Sequence, residues 1–84
     1  MLKVYGSMLC KDCVECREAF DKAGISYRFL DFSDELIYLK EFLSLRDQQD
    51  VFAAVRAEGR IGIPCIVDDE GNLTLDWEQY LASM

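Results

Sequence analysis

The chain has 84 residues, 51% of them apolar, with 16 Asp and Glu against 9 Lys and Arg and a net charge of −7. That length bounds it to one small domain, 1–84, and five Phe, four Tyr and one Trp exclude a disordered chain. The acidity disfavours nucleic acid and anionic membranes as partners, no apolar run reaches the roughly 18–20 residues of a membrane span, and the absence of His excludes Cys–His catalysis and His-containing zinc sites.

Met1–Tyr5 alternates apolar and polar residues as a strand does, without the basic and apolar regions of a signal peptide, so a cytoplasmic protein is expected. Gly6–Leu9 reads as a loop. From Lys11 to Ala23 the pattern is helical, with Cys13, Cys16, Phe20 and Ala23 on one face, and Gly24 supplies the stop. Ile25–Phe32 alternates again, Ile25, Tyr27 and Phe29 against Ser26, Arg28 and Leu30. Ser33 is the expected cap of a second long helix, with Asp34 and Glu35 in its first turn and an apolar stripe of Leu36, Leu39 and Leu43. A break at Asp47–Asp50 precedes a short helix that Gly59 closes. Cys65–Val67 and Asn72–Leu75 flank Asp68-Asp69-Glu70-Gly71 as a hairpin. Asp76-Trp77-Glu78-Gln79 is a capping box for a last helix, with Leu75 and Tyr80 as its staple. The order β-α-β-α-β-β-α, with a short extra helix before the third strand, predicts an α/β fold. Its four-stranded mixed sheet has the first two strands parallel and helices on both faces.

Three of the four cysteines, Cys10, Cys13 and Cys16, lie within seven residues, a spacing that staples almost nothing. Reactive or metal-binding thiols are therefore expected, not a disulfide scaffold. Cys10-Lys11-Asp12-Cys13 stands between the first strand and the first helix. There Cys10 meets the unpaired N–H groups and positive dipole of a helix start, which stabilise a thiolate. Cys13 falls about one turn further in, on the core side, as a shielded second thiol. Cys16 reads as a small core residue or as an accessory thiol that pairs with Cys13 or joins a metal site. Cys65 reads as a packing residue or as a thiol near the helix that carries the pair. Pro64 belongs at a strand start. Local sequence gives no reason to make its bond cis.

Strand, C-x-x-C, helix, strand, helix, Ile63-Pro64 hairpin and terminal helix together resemble the thioredoxin fold. The short N-terminus, with Phe42-Leu43-Ser44-Leu45-Arg46-Asp47 and Gly62-Ile63-Pro64-Cys65, is similar to small bacterial glutaredoxin-related proteins. The resemblance covers nearly the whole chain. It implies Cys10 as nucleophile, Cys13 as resolving thiol and Ile63-Pro64 as a cis-proline loop beside them. By the same resemblance Leu75 and Asp76 belong to the substrate site. It implies a disulfide oxidoreductase, a monomer with no cofactor, acting on disulfide-bearing proteins or small thiols and reduced by a cellular electron donor. Glutathione is a candidate reductant or substrate. The chain departs from the family in having Lys11-Asp12 between the cysteines in place of Pro-Tyr, Ser7 in place of a Lys, and Thr74-Leu75 in place of Gly-Gly. Two further readings stand beside it. One is a metal or iron–sulfur carrier using the thiolates; the other is a non-catalytic interaction domain.

Overall fold

In a computed structural model covering residues 1–84, the strands are β1 (Leu2–Gly6), β2 (Tyr27–Asp31), β3 (Cys65–Val67) and β4 (Leu73–Thr74). The helices are α1 (Lys11–Lys22), α2 (Leu36–Gln48), α3 (Ala53–Glu58) and α4 (Trp77–Ala82), with one 3₁₀ turn at Asp50–Phe52 before α3. The sheet order is β2-β1-β3-β4. β1 and β2 are parallel, pairing Leu2 with Tyr27 through Gly6 with Asp31, and β3 is antiparallel to both β1 and β4. This is the mixed four-stranded sheet the element order predicts. No helix is long and apolar enough to cross a membrane.

Side-chain alternation on β1 divides the core between two faces. Leu2 and Val4 point to one face, where α1 supplies Cys16 and Phe20 and α4 supplies Tyr80 and Leu81. Tyr5 points to the other, against Leu30, Cys65, Phe42 of α2, Phe52 of the 3₁₀ turn and Val55 of α3. The rings there meet edge-on or tilted, with Phe42–Phe52 centroids at 5.8 Å and Phe32–Phe42 at 5.5 Å. Burying one such side chain completely stabilises by about 2–3 kcal/mol, so these phenylalanines hold the small core together.

Several expectations about local detail are corrected. The buried stripe of α2 is not Leu36, Leu39 and Leu43. Leu36 is 77% and Leu43 41% exposed, and the helix turns Tyr38, Phe42 and Leu45 inward instead. Spacings of i, i+3, i+7 and of i, i+4, i+7 both suit one helix face; packing of Phe42 between two other rings selects the second set. Ser33 does not cap α2. Its hydroxyl donates to the Asp31 carboxylate, and Glu35 occupies the N-cap position without a side-chain bond. Asp76 does cap α4, its Oδ1 accepting from the Gln79 N–H at 3.1 Å. Leu75 and Tyr80, expected to staple that helix, belong to opposite core clusters.

The loop between α3 and β3 is held from two sides. Arg46 of α2 donates to the Ile61 carbonyl at 3.0 Å and to the Arg60 carbonyl at 2.6 Å. Gly62 has φ +93°, and a Cβ there would come within 2.9 Å of the Phe52 ring and 3.1 Å of Val55. Glycine is required on both counts. The next peptide bond, Ile63–Pro64, is cis, as the family resemblance implies and local sequence does not.

Candidate active site

Cys10 is the N-cap residue of α1, with extended backbone (φ −100°, ψ 123°) and a half-buried side chain. Its carbonyl accepts from Val14 N–H at 3.1 Å, and its own N–H donates to the Ser7 carbonyl at 3.0 Å. It lines a cleft of about 620 Å³ together with Ile63, Pro64, Leu75 and Asp76. All the residues expected to form a substrate site therefore meet Cys10 in one cavity, although they come from two loops other than its own. Lys11 faces Glu15, its Nζ 3.9 Å from that carboxylate.

Cys13 lies behind Cys10 and is 0% exposed. Cys13 follows Cys10 by about one turn inside α1, so its sulfur shares the start of the helix with the Cys10 sulfur. Burial pushes its thiol up to about 12; the Ser7 N–H works against this, and the Cys10 sulfur and the Cys16 thiol add to it. Cys13 is thus held as a proton-bearing thiol beside a more accessible one. Gly6 makes room for it, since a Cβ at that position would stand 2.7 Å from the Cys13 sulfur and 3.3 Å from the Phe29 ring. Gly6→Ala is expected to destabilise the reduced protein by about 1–3 kcal/mol through overpacking, read as a lower urea midpoint.

Cys16 and Cys65 do not join this pair. Both Cys13 and Cys16 sit inside α1, where Cβ atoms three residues apart are about 5–6 Å from each other, whereas a disulfide needs ~3.5–4.5 Å. Cys10, outside the helix, escapes that constraint. Cys65 is opposite Tyr5 in the sheet and packs in the Phe42 cluster, on the other face from Cys16. The expectation that it lies near α1 is overturned by strand alternation: Val4 and its partner Ile66 face α1, so Cys65 cannot. Burial pushes both thiols up to about 12. No group of three or more Cys, Asp or Glu side chains is placed to hold a metal ion.

A run of polar groups behind the cysteines is not visible in the residue pattern. Leu9 N–H donates to Ser7 Oγ at 3.1 Å, and Ser7 Oγ meets Ser33 Oγ at 2.8 Å, whose hydroxyl donates to Asp31. Since Ser33 gives its proton to Asp31, Ser7 is the donor in the middle bond. Asp31 also accepts from Met8 N–H at 3.3 Å and Ser33 N–H at 2.9 Å. Burial tends to raise its pKa, but the Ser33 and Met8 hydrogen bonds and the Arg17 charge outweigh this and hold the carboxyl below its usual range. The end of β2 thereby anchors the loop that carries Cys10. The signal lies in the parallel pairing, which sets Gly6 opposite Asp31 so that both loops start side by side. Single-residue patterns do not carry that register.

No protein-family model matches the chain, and no solved structure gives a significant match. An uncharacterized protein of Haemophilus influenzae (strain ATCC 51907 / DSM 11121 / KW20 / Rd) is 31% identical over 67 residues, covering 80% of this chain and 78% of the relative. The chain belongs to the family of that protein. This kinship brings no activity with it, so the family's chemistry has to be argued from the site.

Proposed function

We propose that this member of the family is a thiol–disulfide oxidoreductase of glutaredoxin type on a thioredoxin-like fold, with Cys10 as nucleophile and Cys13 as resolving thiol. The observation that carries the reading is the division of the pair: Cys10 opens into the cleft, and Cys13, one turn further along α1, is fully buried. The element order and the meeting of Ile63, Pro64, Leu75 and Asp76 with Cys10 in one cleft support it further.

Cys10 thiolate attacks one sulfur of a substrate disulfide. A bond forms between Cys10 and that sulfur, and the other substrate sulfur leaves with the electron pair and takes up a proton. Cys13 then loses its proton and attacks the Cys10 sulfur. The second substrate thiol departs, and Cys10–Cys13 is left oxidised by two electrons. In the mixed disulfide the Cys10 sulfur no longer carries charge. The influences of Cys10 that raise the Cys13 pKa weaken at that stage, so Cys13 becomes more acidic when it has to attack. A thiol donor of the cell reverses the oxidation.

The test is turnover of a small neutral disulfide with an excess of dithiol donor, with thiols counted on the oxidised protein. Catalysis above the uncatalysed rate and loss of two thiols out of four are expected. Absence of turnover together with four thiols still present after oxidant treatment would sink the reading.

A further inference from the structure

We propose that the cleft selects an extended, cysteine-bearing segment of another protein with Lys or Arg beside its cysteine, and disfavours acidic thiols. This rests on the oxidoreductase reading and adds the substrate class to it. The argument starts from charge. Asp12, Asp76 and Glu78 line the cleft around Cys10, all three are exposed, and none has a cationic partner within 4.0 Å. Arg60 is the cation of the lining, and one nitrogen of its guanidinium meets Glu58 at 2.8 Å. A cationic side chain arriving next to the substrate cysteine therefore finds three unpaired carboxylates, while an anionic one finds like charge and a single cation that Glu58 already partly neutralises. The net charge of −7 extends the same bias to longer range.

The walls of the cleft argue for a peptide and not a small solute. Leu9, the residue before Cys10, is 90% exposed, and Ile61 in the same cleft is 57% exposed. These apolar side chains stand open to apolar residues of an incoming chain. Neither the N–H nor the C=O of Ile63 takes part in any hydrogen bond of the protein, which leaves a short main-chain edge for an extended segment. Glutathione, a tripeptide with two carboxylates and one ammonium, falls on the disfavoured side.

The test uses three short peptides of one design, each with a single cysteine held as a mixed disulfide with a neutral chromophoric thiol. The cysteine is flanked by Lys, Glu or Ser. Exposed ion pairs are individually weak, so three acting together are expected to favour the Lys peptide over the Glu peptide by roughly tenfold in kcat/KM at low salt. The ratio should fall towards one near 1 M salt, where the Debye length is about 3 Å. It should also fall in the triple variant D12N/D76N/E78Q, in which the amide introduced by D76N can still cap α4. Equal rates for the Lys and Glu peptides, with the Ser peptide turned over, would overturn the charge selection and leave the oxidoreductase reading intact. A preference that survives in the triple variant would overturn its assignment to these carboxylates. If no peptide is reduced, the oxidoreductase reading fails and the selection with it.

Discussion

Replacing Cys13 by Ser is expected to trap the protein in a mixed disulfide with its substrate, and replacing Cys10 by Ser is expected to abolish turnover by roughly a thousandfold or more. The asymmetry follows from burial. Cys10 lines the cleft, whereas Cys13 has no exposed surface, so a substrate disulfide can reach the first sulfur and not the second. In C13S the first exchange still runs, but nothing inside the protein can displace the substrate from Cys10. The covalent adduct should be visible by intact mass and should disappear on adding dithiol. In C10S no adduct should form, because Cys13, Cys16 and Cys65 are all 0% exposed. An adduct of equal yield in C10S would mean that another sulfur is the nucleophile. Ser is the right replacement at both sites, since it keeps the shape of the side chain and removes the exchange chemistry.

The placement of Cys10 at the mouth of α1 and of Cys13 inside it is legible in the sequence because both depend on local geometry. A C-x-x-C at a strand-to-helix junction puts one residue outside the helix and the other a turn inside it. The helix face of Cys13, Cys16 and Phe20 can be read from spacing alone, and all three are buried. What spacing cannot show is contact between distant segments. The face of the sheet that Cys65 takes depends on its pairing with Tyr5, fixed by the antiparallel register of β1 and β3. The inward set of α2 depends on Phe42 fitting between Phe32 and Phe52. Ser33 looks like a helix cap because its nearest competitor, Asp31, gains its place beside Ser7 only through the β1–β2 ladder. Local rules yield wherever a tertiary partner offers a stronger hydrogen bond or a better-packed surface.

Raising the pH is expected to unfold the reduced protein. Burial pushes the thiols of Cys13, Cys16 and Cys65 up to about 12, with the neighbouring thiols contributing at Cys13. Tyr5 rises from 10.0 to about 12 through burial and then through its hydrogen bond to Glu41. In the unfolded chain the same thiols ionise near their free value of about 8.5. Between those two values the folded protein keeps protons that the unfolded chain has released. The state with more bound protons loses ground as pH rises, so stability falls across this window, whereas below about pH 8.5 both states are protonated and the contribution is whole.

The size of the effect decides whether the fold survives. Each thiol withdraws about 1.4 kcal/mol per pH unit once the unfolded form is ionised, so three withdraw about 4. A domain of this length has roughly 4–13 kcal/mol in all. Unfolding is therefore expected between about pH 10 and 12, at the point where the accumulated loss equals the stability at neutral pH. Urea midpoints followed by far-UV circular dichroism, under a reductant, measure the slope directly. Cys65→Ala separates the thiol contribution from other alkaline effects. It should cost about 1 kcal/mol at pH 7 from the lost sulfur packing. Above about pH 9 its stability should fall less steeply than the wild type, by about 1.4 kcal/mol per pH unit. Parallel slopes for the two proteins would show that Cys65 ionises as readily in the folded state as in the unfolded chain. The buried side of the sheet would then have to admit water, which the close packing of Cys65 among Tyr5, Phe42 and Phe52 opposes.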